Sequence, residues 1–223
     1  MGTAVGEILP LAVGIAISPI PIIAAILMLL SPQAKGTSVG FLIGWVAGVV
    51  TAVVLFTLLS SVLPEDSGEG SAPVAGVIKI VLGALLLLLA VRQWRSRPKP
   101  GETAALPKWM SAIDSMTFGK ALGLGFLLSA VNPKNLLMAA SAGVAIGAAR
   151  LPVAQIVLVV IIFTVIACCT VLVPVVGYLL AADRMAALLQ SLREWLGAHN
   201  AAIMAVLLLV IGVSVIGKGL ASF

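Results

Sequence analysis

Apolar residues fill six long stretches of this chain, and short polar segments separate them. The stretches cover residues 8–30, 39–63, 74–92, 120–148, 152–180 and 201–218. A helix crosses the hydrocarbon core of a bilayer with about 20 residues, so each stretch is long enough or nearly so. Runs such as Leu85–Leu89 do not alternate between apolar and polar residues, as transmembrane strands do. The pattern predicts an all-α integral membrane protein with six transmembrane helices.

The composition supports this interpretation. Of the 223 residues, 61% are hydrophobic and only 9% are charged, whereas about 25% of the residues of a soluble domain are charged. We therefore exclude a soluble enzyme and expect no enzymatic activity, no nucleic-acid partner, and membrane lipids as partners. The single histidine, His199, and the adjacent Cys168 and Cys169 suit neither a metal cage nor a disulfide framework, so we expect no metal or cofactor.

The basic residues predict an orientation, because cytoplasmic loops are rich in Lys and Arg. We place the connection between the third and fourth stretches in the cytoplasm and let the others alternate. Nine of the 13 basic residues are then cytoplasmic: Lys35, Arg92, Arg95, Arg97, Lys99, Lys108, Lys120, Arg184 and Arg193. Arg150 and Lys218 then lie outside, and Lys79 and Lys134 within or near spans. Because six is an even number of spans, both termini lie on the same side of the cytoplasmic membrane, and in this orientation it is the extracytoplasmic side. We also expect Glu7 and Lys79 to pair near this outer face.

Two segments outside the spans are amphipathic at helical spacing, residues 106–118 and 183–197. Trp109 is on the apolar face of the first, and Trp195 is on that of the second. We expect both to be interfacial helices in the headgroup plane on the cytoplasmic side. The alternative is that they only connect spans.

Prolines interrupt the first and fourth stretches near their middles. They stand beside polar residues: Ser18, Pro19 and Pro21 in the first stretch, and Asn132, Pro133, Lys134 and Asn135 in the fourth. Proline frees the carbonyl four residues before it, and the polar side chains supply replacement hydrogen bonds. These seven residues are the predicted substrate-binding site. Lys134 has two interpretations: it recognises an anionic group, or it snorkels or pairs with backbone carbonyls. Proline kinks also have an alternative, because they occur in membrane proteins that have no transport function.

The two interruptions occupy matching positions. Pro19 and Pro133 are 133 − 19 = 114 residues apart, about half the chain. Since each half contains three spans, the second half enters the membrane in the opposite sense, as in inverted-repeat transporters. We predict one transmembrane domain over residues 1–223. Its parts are a first repeat over 1–97, a cytoplasmic connection with an interfacial helix over 98–119, and a second repeat over 120–223.

Glycines repeat at a spacing of four in several stretches, which allows helices to approach closely. They are Gly40, Gly44 and Gly48, then Gly119 and Gly123, and finally Gly143 and Gly147. The spacing suits internal packing and a homodimer interface equally well.

Several motifs resemble a known family. They are Leu9 to Pro32 (LPLAVGIAISPIPIIAAILMLLSP), Pro107-Lys108-Trp109-Met110 through Asp114, Gly123-Leu124-Gly125, and Asn132-Pro133-Lys134-Asn135-Leu136. The first and last resemble the lysine-exporter (LysE) superfamily of small six-helix transporters. Together the motifs resemble the peptidoglycolipid-addressing protein (GAP) family and its sulfolipid-addressing relatives. The resemblance implies export or addressing of complex glycolipids to the envelope of actinobacterial cells, hence a lipid or amphiphilic substrate.

Two other activities found in this superfamily fit the residues poorly. A thiol-disulfide carrier needs a cysteine at each interruption, where this chain has Ser18 and Asn132. A metal exporter needs carboxylates in mid-span, and no span has one. The chain also has no G-x-x-x-x-G-K-[ST] loop for a nucleotide. Two alternatives to a lipid transporter remain: a small-solute exporter of the lysine-exporter type, and a non-transporting membrane adaptor for lipid-synthesis enzymes.

Overall fold

The computed structural model describes residues 1–61, 71–97, 113, 115–221 and 223, and this part of the chain is built from helices. In chain order they are α1 (Gly2–Ala16), α2 (Pro19–Leu29), α3 (Ala34–Ser61), α4 (Ser71–Arg95), α5 (Phe118–Ala130), α6 (Pro133–Ala148) and α7 (Val153–Leu220). The acidic connection at 64–70 and most of the interfacial helix predicted at 106–118 lie outside the described residues.

Several of these helices are long and apolar enough to cross a membrane, which confirms an all-α, multi-pass membrane protein. Among the described residues, four helices qualify on their own: α3, α4 and the two halves of α7, Val153–Ala182 and Arg184–Leu220. The pair α1 and α2, bent by 50° at the residues between them, qualifies as a fifth. The shorter helix α5 is also apolar.

The halves of α7 meet at Ala181, whose backbone angles (φ −150°, ψ 59°) are not helical. The amphipathic segment 183–197 begins the second half and continues directly into the last span. The prediction of a separate interfacial helix there was therefore wrong. A helix of 37 residues is about 55 Å long, so its length exceeds the thickness of the hydrocarbon core. Nothing between Gly197 and Ala201 interrupts the helix, and amphipathic spacing alone does not show where a helix ends.

Glycines bring α3 close to α5 and α6. Gly40 lies against the backbone of Phe118, and Gly44 against that of Leu122. Further along, Gly147 lies against Ser60. The α3 glycines therefore serve internal packing in this structure. The contacts also show that α5 and then α6 run beside α3 in the same direction, along most of its length.

A second close pair is formed by α4 and the second half of α7, which run antiparallel. Gly83 faces the backbone of Gly212, and Gly219 faces that of Gly76. Near the Gly76 end, Lys79 Nζ lies 3.8 Å from a carboxylate oxygen of Glu7 in α1. This ion pair, which the sequence predicted, joins α1 to the α4–α7 pair.

Candidate functional site: two helix junctions

The first junction is the pair of residues Ile17 and Ser18 between α1 and α2. The amide of Ile17 donates to Val13 O (2.9 Å) and closes the last turn of α1, while the amide of Ile22 donates to Ser18 O (3.3 Å) and opens α2. Pro19 is the first residue of α2, a position where its fixed φ suits the helix and its missing N–H is not needed. The carbonyls in the last turn of α1 therefore need partners outside their own helix.

The second junction, Val131 and Asn132 between α5 and α6, repeats this hydrogen bonding. The amide of Val131 donates to Leu127 O (3.0 Å), and the amide of Leu136 donates to Asn132 O (2.8 Å). Pro133 is the first residue of α6. Each residue in these bonds is 114 positions after its counterpart in the first junction.

Lys134 joins the two junctions. Its ammonium group donates a 2.7 Å hydrogen bond to the carbonyl oxygen of Gly14, near the end of α1. Lys134 is only 6% exposed, and no carboxylate pairs with it in the part of the chain that the structure describes. Gly14 is tightly covered, since a Cβ built on it would lie 2.8 Å from Met138 Sδ and would overlap Ile211. A buried cation is thus held by a neutral carbonyl.

A second carbonyl at the end of α1 also accepts a hydrogen bond from another helix. Thr170, in the first half of α7, donates its hydroxyl to Ala16 O at 2.5 Å. Two carbonyls in the last turn of α1 therefore accept hydrogen bonds from side chains of α6 and α7, as expected for backbone groups that have lost their helical partners.

Asn135 serves the second junction in a comparable way. Its side-chain amide donates to Leu128 O at 3.0 Å, and Leu128 is 114 residues after Gly14. Its own Oδ1 is buried and has no hydrogen-bond partner within the described residues. Asn135 thus gives the Leu128 carbonyl a hydrogen-bond donor and leaves one acceptor unused among the described residues.

The other predicted site residues are placed as follows. Asn132 caps α6, its side chain accepting a 3.1 Å hydrogen bond from the amide of Lys134. Ser18 is buried at the corresponding position before α2, but its side chain makes no capping hydrogen bond. Pro19 and Pro21 are buried in α2, whereas Pro133 is exposed.

The junctions lie near the middle of the bundle. Gly143 of α6 packs against Phe56 of α3, and Lys134 precedes Gly143 by nine residues, or about 14 Å of helix. Ser129 of α5 lies against Gly48, and α5 and α6 advance beside α3 in the same direction. Lys134 is therefore level with a point of α3 between Gly48 and Phe56, just past the midpoint of that helix. The site can therefore offer a cation and an unused acceptor at mid-depth.

Sequence reasoning did not find Thr170 or Gly14. Threonines in helices usually bond to their own backbone, as Thr57 does with Val53 O and Thr164 with Val160 O, so Thr170 carries no distinguishing signal. Among the described residues, no three His, Cys, Asp or Glu side chains form a group that could hold a metal ion, and Cys168 and Cys169 are free thiols.

Comparison with known proteins adds a family to this geometry. A protein-family model described as "Sap, sulfolipid-1-addressing protein" matches residues 8–221, nearly the whole chain and both junctions. No curated protein and no solved structure matches significantly.

Proposed function

This chain belongs to the sulfolipid-1-addressing protein family, and we propose that it moves an anionic glycolipid of the cell envelope across the cytoplasmic membrane. The observation that carries the proposal is Lys134, buried at mid-depth and bonded only to neutral groups among the described residues. A charge at the centre of a membrane costs about 2.5–3.5 kcal/mol on insertion scales and generally marks a functional site. An anionic headgroup is the partner that this charge lacks.

We propose that each junction lies inside one span, which gives six spans. Together, α5 and α6 follow α3 from Gly40 to Ser60, a path about 30 Å long at 1.5 Å per residue. A re-entrant pair would turn back before completing such a path. That α1 and α2 also form one span is supported by the hydrogen bonding that their junction shares with the second junction. Their 50° bend leaves one alternative, in which the two helices form a re-entrant loop.

The six spans form an inverted repeat of three plus three in this proposal. Its support is the offset of 114 residues, which relates the backbone hydrogen bonds of the junctions as well as the carbonyls of Gly14 and Leu128. Discontinuous helices of this kind meet at mid-membrane substrate sites in inverted-repeat transporters. The arrangement also agrees with the proposed relation to the lysine-exporter superfamily.

The mechanism we propose is an exchange of partners at Lys134. Hydrogen bonds between a cation and an anion are roughly twice as strong as neutral ones, so a sulfate or phosphate can compete with the Gly14 carbonyl. When Lys134 turns to the headgroup, α1 loses one of its bonds to α6. This weakens the attachment between the two halves, which rock against each other in alternating access.

Downhill movement of a sulfated glycolipid in vesicles tests this function. The purified protein is reconstituted into phosphatidylcholine vesicles with a fluorescently labelled sulfated glycolipid in the inner leaflet, and an impermeant quencher reports its arrival outside. We expect the protein to speed arrival, and Lys134→Met to lower the rate by about tenfold or more. Lys134→Arg keeps the charge and should retain part of the activity.

Matched controls separate this function from its rivals. Lys35 is exposed at the start of α3, so Lys35→Met removes an equal charge and should leave the rate unchanged. An adaptor predicts wild-type rates equal to those of protein-free vesicles, which would overturn the proposal. A small-solute exporter predicts instead saturable uptake of a charged metabolite and no movement of lipid. Gel filtration of each variant verifies that it is folded.

A further inference from the structure

An apolar groove runs along the outside of the bundle between α3 and the first half of α7. It has a volume of about 400 Å³ and is lined by Val50, Val54, Thr57 and Leu58 of α3 and by residues between Ile156 and Val165 of α7. This volume is within the range of about 300–1,000 Å³ that is typical of ligand sites. The groove is separate from the two junctions, since none of its lining residues contributes a hydrogen bond to them.

The lining contains two threonines, yet it presents no polar surface. The hydroxyl of Thr57 donates to Val53 O, and that of Thr164 donates to Val160 O, each at 2.8 Å. Both hydroxyls are thus satisfied within their own helices and leave methyl groups for the groove. A headgroup or a polar solute would find no hydrogen-bond partner here, so the chemistry of the groove suits hydrocarbon.

The length and depth of the groove match one leaflet. From Val50 to Leu58 it extends along α3 for eight residues, about 12 Å, and one leaflet contributes about 15 Å of hydrocarbon. Leu58 is three residues before the end of α3, and Ile156 is three residues after the start of α7. The groove therefore runs from near these helix ends to about the level of Lys134.

We propose that this groove binds one acyl chain of a membrane lipid, in the leaflet that adjoins Ser61 and Val153. In the orientation that the basic residues predict, this is the outer leaflet. The lipid bound there is then the one that has passed the junctions. That last step rests on the proposed function, whereas binding of the chain does not. A groove with two walls buries more apolar surface of an acyl chain than a flat helix face does.

A photoreactive lipid tests the proposal. The protein is reconstituted into vesicles of phosphatidylcholine and phosphatidylglycerol that contain a trace of phosphatidylcholine with a diazirine on its acyl chain, and cross-linked peptides are mapped by mass spectrometry. We expect residues 50–58 and 156–165 to be labelled about fivefold or more over open lipid-facing positions. The reference positions are Leu88 in α4 and Val210 in α7, 66% and 60% exposed. Even labelling of all apolar faces would overturn the proposal.

Variants sharpen the test. Val54→Trp fills the groove and should abolish its labelling, whereas Leu88→Trp adds the same ring to an open face and should not. Thr57→Val should have no effect, because its hydroxyl faces away. If a second copy of the chain covers the groove, residues 50–58 and 156–165 are shielded from the probe and are labelled less than Leu88 and Val210, and the proposal is wrong. Lys134→Met should retain groove labelling, so failure of the transport function and failure of the groove remain distinguishable.

Discussion

Lys134 Nζ in α6 and Gly14 O in α1 are joined by a 2.7 Å hydrogen bond between residues 120 positions apart. Lys134 lies in the first turn of α6, where a positive charge is unfavourable for the dipole of its own helix. The same charge faces the last turn of α1, the negative end of that helix, where it is favourable. A residue that is poorly placed for its own helix is therefore well placed to hold the junctions together.

Replacing Thr170 with valine should weaken the attachment of α1 to α7. The change keeps the shape of the side chain but leaves Ala16 O without its donor. Hydrogen bonds between membrane helices contribute about 0.6 kcal/mol on average and up to about 1.7 kcal/mol, and we expect a loss near the upper value because the carbonyl has no helical partner. Reversible unfolding in mixed micelles measures this loss as a change in the free energy of unfolding.

The matched control for this prediction is Thr164→Val, six residues earlier in α7. Its hydroxyl donates to Val160 O in its own helix, a carbonyl that already accepts a backbone amide. The free energy of unfolding should change by less than about 0.5 kcal/mol. If both variants lose equal stability, the Thr170–Ala16 bond contributes nothing specific.

Gly14→Ala should destabilise the protein and lower its activity together. The new Cβ would lie within 3 Å of Met138 Sδ, and overpacking of this kind costs about 1–3 kcal/mol. It also moves the carbonyl to which Lys134 donates. Thermal unfolding in detergent and the vesicle assay measure the two effects.

Two comparisons test this reasoning at Gly14. Gly6, in the same helix, has no neighbour within 4 Å of a built Cβ, so Gly6→Ala should leave both measurements unchanged. Met138→Ala leaves a cavity in the wild-type chain, but in the Gly14→Ala background it also removes one of the two overpacked side chains, so it should cost less stability there than in the wild-type chain. If Met138→Ala costs the same stability in both backgrounds, the overpacking argument is contradicted.

Much of this fold could be predicted from the sequence because helix starts are local. Proline suits the first position of a helix, and α2 and α6 begin at Pro19 and Pro133. The Glu7–Lys79 pair could be predicted because the apolar stretches place both residues near the same membrane face.

The partners at the junctions could not be predicted, because they depend on how helices distant in sequence pack. The sequence indicated that Lys134 needs a partner, but nothing in it distinguishes the Gly14 carbonyl from any other. The same limit applies to Thr170, and to the glycines of α3. Their spacing predicted a close helix neighbour but left open whether it belonged to the same chain.

Gly44→Ala should separate α3 from α5. A Cβ at this position would overlap the carbonyl oxygen of Leu122, and backbone cannot move aside as a side chain can. We expect a loss of about 1–3 kcal/mol in the free energy of unfolding. Gly123→Ala in α5, where a Cβ meets nothing within 4 Å, should be close to neutral. If Gly44→Ala is stable but changes the oligomeric state, Gly44 and the other glycines of α3 form a dimer interface in the membrane.

The proposed orientation predicts which connections react from outside the cell. Ser67 belongs to an acidic connection without basic residues, and Ser96 lies among Arg92, Arg95 and Arg97. Single cysteines are introduced at Ser67 and, separately, at Ser96, in a chain carrying Cys168→Ala and Cys169→Ala. Because basic connections stay in the cytoplasm, an impermeant maleimide should label Ser67→Cys in intact cells and Ser96→Cys only after lysis. The reverse pattern would invert the orientation, and would place the groove in the inner leaflet, where a lipid enters.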